Sequence, residues 1–172
     1  LVDGSISRVV AIGQGTAAVA GQALASTLTA LTGGTDLRVE ARLATELSGF
    51  GLRPDMSDTL IVAVSQSGTT TDTNRTVDLL RARGATVISI VNRRGSDLTD
   101  RSDGVLYTSD GRDVEMSVAS TKAFYAQIAA CYLLAVAIVD ARGEGGGPRA
   151  ELLASLRSMP EAMERVMGLR PA

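Results

Sequence analysis

Hydroxyl side chains are concentrated in one nine-residue stretch, Ser65 to Thr73, which follows the strongest strand pattern of the chain. The hydroxyls belong to Ser65, Ser67, Thr69, Thr70, Thr71 and Thr73. A helix is predicted to begin inside this stretch, and the free N–H groups and positive dipole end of a helix attract anions. Gly68 would let the backbone approach such a ligand closely. The pattern favours a phosphate site, with ordinary helix capping by one hydroxyl as the alternative.

A glycine-rich turn, Gly13-Gln14-Gly15-Thr16-Ala17-Ala18, lies between a predicted strand and a predicted helix. It fits the pattern G-x-G-x-x-G/A, and Glu40 near the end of the next strand could bind a ribose, so a dinucleotide site is a second hypothesis. Small residues also serve the close packing of strand against helix, so a tight turn without a ligand is the alternative. A P-loop is excluded because no G-x-x-x-x-G-K-[ST] occurs.

A third segment, residues 115–124, precedes a long apolar run. Ser120 or Thr121 could cap the helix that is predicted there, and Lys122 places a positive charge near its first turn. A cation at this end is opposed by the helix dipole unless an anion lies nearby, and such a conflict is typical of functional positions. A solvated lysine is the alternative interpretation.

The composition excludes several kinds of site. The chain has no histidine and Cys131 is its only cysteine, which excludes a Ser-His-Asp triad, a histidine base, a multi-cysteine metal site and an intrachain disulfide. With 17 basic against 19 acidic residues and 3% aromatics, the chain lacks the features typical of nucleic-acid binding. We therefore expect no metal, no cofactor and no contact with nucleic acid.

The longest apolar run, Ala123 to Val139, contains Gln127 and is shorter than the roughly 20 residues that cross a bilayer. We expect it to be a buried core helix without membrane contact. A chain with one thiol and no export signal at its start is expected in the cytoplasm. Because the sequence begins at Leu1 rather than at a methionine, we also expect it to be part of a longer protein.

Short β-branched runs alternate with longer helical segments along the chain. Strands are predicted at residues 8–12, 36–42, 59–64, 86–91 and 104–107. Helices are predicted at residues 16–31, 72–83, 120–142 and 148–167, the last interrupted near Pro160. Apolar strands separated by helices indicate an α/β fold, a three-layer doubly wound domain of Rossmann or flavodoxin type with a parallel sheet of about five strands. In such sheets the ligand crevice lies at the carboxyl ends of the strands, which singles out the three segments above.

Two of the segments are together specific for a family. The patterns SQSGxTxDT at residues 65–73 and ExxVASTKAF at residues 115–124 resemble the SIS (sugar isomerase) domain, most closely the first isomerase half of glutamine–fructose-6-phosphate amidotransferases. The resemblance extends from about Arg8 to Met167. It implies one phosphosugar-binding domain over residues 1–172, with a core at 8–142 and a terminal helix at 148–168 that leads to a missing second half.

The resemblance also implies a function. Complete enzymes of this kind use ammonia from glutamine to convert fructose 6-phosphate into glucosamine 6-phosphate. The residues that it implies as sugar-phosphate contacts are Thr16, Ser65, Gln66, Ser67, Thr70, Val118 and Ser120. Orienting roles are implied for Gly15, Ala17, Glu115 and Lys122. No catalytic residue is expected in this chain, because in the family the base and acid come from a second SIS half and a neighbouring subunit; a second SIS domain or a homo-oligomer is the expected partner.

The chain departs from the family pattern at three positions. Ala17 stands where serine is usual, which removes one phosphate donor, Ala18 replaces a bulkier residue, and Thr69 replaces a common glutamate. These differences leave room for a sugar-phosphate sensor, a sugar-phosphate deaminase or deglycase, or a standalone phosphosugar isomerase. A dinucleotide-binding domain is the remaining alternative. The hydroxyl-rich loop disfavours it, because such a domain needs no second phosphate-binding loop.

Overall fold

The computed structural model describes residues 1, 3–109, 122–144 and 148–169. Within these ranges one parallel sheet has the strand order β2-β1-β3-β4-β5. Its strands are β1 (Arg8–Gly13), β2 (Arg38–Leu43), β3 (Thr59–Ser65), β4 (Thr86–Val91) and β5 (Gly104–Tyr107). The helices are α1 (Thr16–Leu31), α2 (Ala44–Glu46) with a π-helical turn at Leu47–Gly51, α3 (Thr71–Arg81), α4 (Asp97–Asp100), α5 (Lys122–Ala141) and α6 (Arg149–Gly168). The predicted α/β class and five-stranded parallel sheet are confirmed.

The central strands are apolar throughout because helices cover both faces of the sheet. All seven residues of β3 are buried. On β1, Val9 and Ala11 pack with α1 and α5, whereas Val10 and Ile12 pack on the opposite face with Val77 of α3. This alternation gives the three layers that the sequence predicted. The edge strand β2 has no buried residue, in agreement with its alternating polar pattern.

Helix α5 is a core helix, although by length and composition it is apolar enough to cross a membrane. Cys131, Ala135 and Val139 recur every fourth residue and are fully buried in the core shared with α1. Burial raises the pKa of the Cys131 thiol to about 12, so that it stays protonated and unreactive at neutral pH.

The predicted interruption of the last helix is wrong. α6 continues through Pro160 from Arg149 to Gly168. Proline removes one backbone donor and crowds the carbonyl four residues earlier, which weakens one turn. Only one backbone donor is lost, and the other turns of this 20-residue helix keep their helical conformation on both sides of Pro160.

The amino ends of β1 and β3 are joined by a polar cluster around Asp58. The carboxylate accepts hydrogen bonds from both terminal nitrogens of Arg53, from Thr59 Oγ1 at 2.7 Å and from Ser7 Oγ at 3.3 Å. The backbone carbonyl of Asp58 accepts hydrogen bonds from the N–H groups of Ser7 and Arg8. The bond from Arg53 is the main reason that the pKa of Asp58 is about 2, well below its ordinary value.

This lowered pKa predicts a loss of stability in acid. The contribution of Asp58 is fully present above its unfolded-state pKa of about 4 and disappears as the pH falls through the folded-state value. Because the Asp58 and Arg53 side chains are 34% and 37% exposed, solvent screening reduces the contribution to about 1 kcal/mol. When the pH is lowered from about 4 to about 2, the free energy of unfolding measured with urea should therefore fall less for Asp58→Asn than for the wild type. Equal declines would contradict this role of Asp58.

Candidate functional site

Two loops meet where the carboxyl ends of β1 and β3 lie side by side. The strands are hydrogen-bonded neighbours, with Ile12 paired to Ala63 in the register. The chain leaves β1 toward α1 on one face of the sheet and leaves β3 toward α3 on the other. Connections that diverge in this way open the crevice in which doubly wound domains bind ligands.

The turn after β1 is built from small residues for close packing. A Cβ atom on Gly13 would lie 2.8 Å from backbone atoms of Ala17 and Ala18, so only glycine fits there. Gly15 precedes α1 with a φ of +57°, and its carbonyl accepts the N–H of Ala18 at 3.1 Å. Thr16, the first residue of α1, is exposed at the rim of the crevice. Part of the glycine pattern is thus explained by packing, and Thr16 and Gln14 are the polar side chains of the turn.

The loop after β3 is held by its own hydroxyls. Ser65 Oγ accepts the N–H of Gly68 at 3.0 Å. Ser67 Oγ accepts the N–H of Thr69 at 3.2 Å and the Thr69 hydroxyl at 2.9 Å. In the two bonds from N–H groups the serine oxygen is the acceptor, and the Ser67 and Thr69 hydroxyls share one hydrogen bond between them. The Ser65 proton and one proton of the Ser67–Thr69 pair therefore remain to be donated to another group.

Two carbonyl oxygens of the same loop are bonded to the segment that follows β4 and to α3. Gln66 O accepts the N–H of Asn92 at 3.1 Å. Gly68 O accepts the N–H of Leu98 at 3.0 Å and the side-chain Nδ2 of Asn74 at 3.2 Å. Since the negative ends of these peptide dipoles are engaged within the protein, they do not compete with an anion for the loop donors.

Helix α3 begins without a side-chain cap. Thr70 is its N-cap residue and has extended backbone angles, but its hydroxyl makes no capping hydrogen bond. The N–H groups of the first turn have no intrahelical partner, so an uncapped end can bind an anion. The exposed Asp72 in that turn is favourable to the helix dipole but opposes a second negative charge nearby. The alternative of ordinary capping by Thr70 is therefore not what this loop does.

Sequence reasoning missed the polar layer beneath the loop. Ser96 is 3% exposed and its side chain lies against Gly68, while Asn74 is 6% exposed and holds the Gly68 carbonyl. Ser96 Oγ, Asn74 Oδ1 and Thr73 Oγ1 are buried and have no hydrogen-bond partner in the described part of the chain. The connection after β4 also lies at a carboxyl end, and applying the crevice rule to it would have included Ser96 among the candidate residues.

Three of the residues predicted for the site lie outside the described residues; they are Glu115, Val118 and Ser120. Lys122 is the first residue of α5 and is exposed. The structure thus describes the part of the predicted site that lies in the loops after β1 and β3.

The position of Glu40 disfavours a dinucleotide site. On the edge strand β2 it pairs with Val10 of β1, three residues before β2 ends at Leu43, and it therefore lies roughly 10 Å from the carboxyl edge of the sheet. Its carboxylate also accepts a hydrogen bond from Arg42 at 2.9 Å. A ribose bound at the edge of the sheet would be out of its reach.

Comparison with known proteins gives concordant results. The sequence profile of the SIS domain matches residues 5–137. The isomerising glutamine–fructose-6-phosphate aminotransferase of Corynebacterium glutamicum is 41% identical over 166 residues, which cover 95% of this chain and 25% of the relative. Among solved structures, the C-terminal domain of glucosamine-fructose-6-phosphate aminotransferase from Francisella tularensis aligns with a TM-score of 0.78 at 22% identity, over 97% of this chain and 45% of that one.

A more distant structural neighbour carries a ligand. The NanR protein of Vibrio vulnificus complexed with ManNAc-6P aligns with a TM-score of 0.59 at 22% identity, over 98% of this chain and 58% of that one. At this level of identity the likeness concerns the fold. The chain spans about a quarter of the length of the aminotransferase that it matches.

Proposed function

The chain belongs to the SIS domain family, and from that premise we propose that it binds a sugar phosphate as one module of an isomerising amidotransferase-type enzyme of amino-sugar synthesis. The ligand is fructose 6-phosphate or glucosamine 6-phosphate. The named activity of the Corynebacterium relative, at 41% identity over 95% of the chain, supports this choice.

One observation carries the proposal: the loop after β3 brings several hydrogen-bond donors together. Ser65 and Ser67 each accept a loop N–H group, which leaves hydroxyl protons for another acceptor, and α3 begins uncapped beside them. The Gln66 and Gly68 carbonyls are bonded elsewhere. A phosphate group needs such an arrangement because its oxygens accept several hydrogen bonds at once.

The proposed contacts are divided between the phosphate group and the sugar. The residues that would hold the phosphate are Thr16, Ser65, Gln66, Ser67 and Thr70. Val118 and Ser120 would line the sugar, with Gly15, Ala17, Glu115 and Lys122 as orienting residues. We assign no catalytic base or acid to this chain; the groups for isomerisation would come from another part of a longer protein, a second SIS domain or a second subunit. A cytoplasmic location fits this function.

A sugar-phosphate sensor is the second candidate, and the likeness to NanR in complex with ManNAc-6P favours it. A sensor and an enzyme module would share the phosphate loop and differ in what the remainder of the protein contains. A second SIS domain elsewhere in the full-length protein would support the enzyme, and a DNA-binding domain would support the sensor.

Titration calorimetry separates sugar-phosphate binding from the dinucleotide alternative. We expect saturable binding of fructose 6-phosphate and glucosamine 6-phosphate, because the loop recognises the phosphate group. Free fructose, which lacks that group, is the matched control and should produce no saturable heat. Saturable binding of NAD in place of the sugar phosphates would refute the proposal, as would equal affinities for fructose and its phosphate.

A further inference from the structure

Two arginines follow β4 at the carboxyl edge of the sheet, beside the loop after β3. They are Arg93 and Arg94, and both are exposed. The backbone N–H of Arg93 donates to the Gln66 carbonyl at 3.3 Å, so the turn that carries the arginines is bonded directly to the hydroxyl-rich loop. The contacts proposed above include neither arginine, although both bring positive charge to this edge.

Arg94 is held in place by an aromatic ring. Its guanidinium carbon lies over the ring of Tyr107, the last residue of β5, at 4.3 Å from the ring centre. A cation is attracted to the face of a ring without a hydrogen bond, so this contact does not use the N–H donors of the guanidinium. Within the described part of the chain, Arg94 forms no ion pair and no side-chain hydrogen bond. It is therefore a positioned cation whose donors can bind an anion.

The register of the sheet gives the distance from this arginine to the loop after β3. Ser65, Val91 and Tyr107 are partners across three neighbouring strands. Because neighbouring strands lie about 4.8 Å apart, the backbones of Ser65 and Tyr107 are separated by about 10 Å. Partners in register also point to the same face of the sheet. Ser65 and Tyr107 thus mark two ends of one stretch of the carboxyl edge, and that stretch is comparable to the span of a hexose with an acidic group at each end.

We infer that Arg94, positioned by Tyr107, is a second anion subsite beside the loop after β3, and that it binds the far acidic group of a doubly anionic hexose phosphate. This inference rests on the proposed sugar-phosphate function and extends its ligand class. Fructose 6-phosphate and glucosamine 6-phosphate carry one acidic group each and do not fill the subsite. A second phosphate and a carboxylate have the same chemistry here, because either can accept two N–H donors of one guanidinium.

The test compares ligands that differ only in the second acidic group, by calorimetric titration. Fructose 1,6-bisphosphate is compared with fructose 6-phosphate, and 6-phosphogluconate with glucitol 6-phosphate. In at least one of the two pairs, we expect the wild type to bind the doubly anionic ligand about tenfold more tightly, as for one additional hydrogen bond between charged groups. The pair with the larger ratio of affinities identifies the group that Arg94 binds as a phosphate or a carboxylate.

Variants separate a positioned arginine from positive charge in general. Arg94→Gln should reduce the ratio to about one, because the cation of the subsite is lost. Tyr107→Leu keeps every charge but removes the ring, and it should lower the ratio about threefold. Tyr107→Phe keeps the ring and should keep the wild-type ratio. The matched control is Arg38→Gln, which removes one exposed arginine at the amino end of β2 and should also keep the ratio.

The outcomes separate this inference from the function on which it rests. Equal affinities within both pairs, with fructose 6-phosphate still bound, would overturn the second subsite and leave the proposed function intact. An undiminished ratio in Arg94→Gln would overturn it too, since the additional acidic group would then be bound elsewhere. Equal ratios in Tyr107→Leu and Tyr107→Phe would overturn the role of the ring. A wild type that binds none of the four ligands would overturn both the inference and the proposed function. Because each ratio is taken within one protein, an unfolded fraction lowers both affinities alike and cancels.

Discussion

Replacing both Ser67 and Thr70 by alanine should weaken the binding of fructose 6-phosphate by roughly 10²- to 10⁴-fold, since two hydrogen bonds to a charged group contribute about 3–6 kcal/mol. The hydroxyls of Ser67 and Thr69 share one hydrogen bond, so the pair keeps one proton to donate, and Thr70 uses its hydroxyl for no helix cap. A donor at each of these two positions therefore remains for the ligand. The measurement is calorimetric titration of the wild type and the double variant under the same conditions.

The matched control is Thr71→Ala. Thr71 is the first residue of α3 and is exposed, and the proposed contact set does not include it. The Thr71→Ala variant also loses a threonine hydroxyl at the start of α3, but one outside the proposed contacts. Its affinity for fructose 6-phosphate should therefore stay close to that of the wild type. The free energy of unfolding of the double variant should change little, because the N–H of the exposed Thr69 can turn to water when Ser67 Oγ is lost. Undiminished affinity in the double variant, or an equal loss in Thr71→Ala, would rule out the assigned contacts.

The sequence predicts the sheet well because its signals are local. Continuous β-branched runs become β3 and β4, and the alternating run that contains Glu40 becomes the half-exposed edge strand β2. Gly84, predicted to end the helix before it, has a φ of +88° and follows α3 closely. The positions of the loops after β1 and β3 then follow from the crevice rule alone.

The state of each hydroxyl is not a local property of the sequence. The hydrogen bonds of Ser67 depend on the backbone path through Gly68, and that path is fixed by one residue of α3 and one residue of the connection after β4. Asn74 and Ser96 are polar and give no core signal by type, yet both are buried against the loop. The helix at Pro160 is a comparable case, since residue type predicted a break and the helix continues through it.

Gly68 is the residue through which the fold imposes this path. Its φ of +65° lies in the left-handed region, and a Cβ atom would lie 2.7 Å from Ser96 Cβ and 3.0 Å from Val91 Cγ2. The left-handed backbone costs a non-glycine residue roughly 1–2 kcal/mol, and overpacking of a buried site adds roughly 1–3 kcal/mol. We therefore expect Gly68→Ala to lower the free energy of unfolding by about 2–5 kcal/mol, measured by urea denaturation.

Gly95→Ala provides the matched control. Gly95 has a nearly identical φ of +60°, but no atom lies within 4 Å of its Cβ position. Its substitution should cost only the backbone part, roughly 1–2 kcal/mol. In a double-mutant cycle, Ser96→Gly should restore part of the stability lost in Gly68→Ala, because it removes the Cβ and Oγ atoms that the new methyl group meets. Equal losses of unfolding free energy in Gly68→Ala and Gly95→Ala would mean that the Ser96 side chain moves aside without an energetic cost and does not fix the loop. A larger cost for Gly68→Ala, relieved by Ser96→Gly, would mean that the connection after β4 sets the backbone from which Ser67 and Thr70 present their hydroxyls.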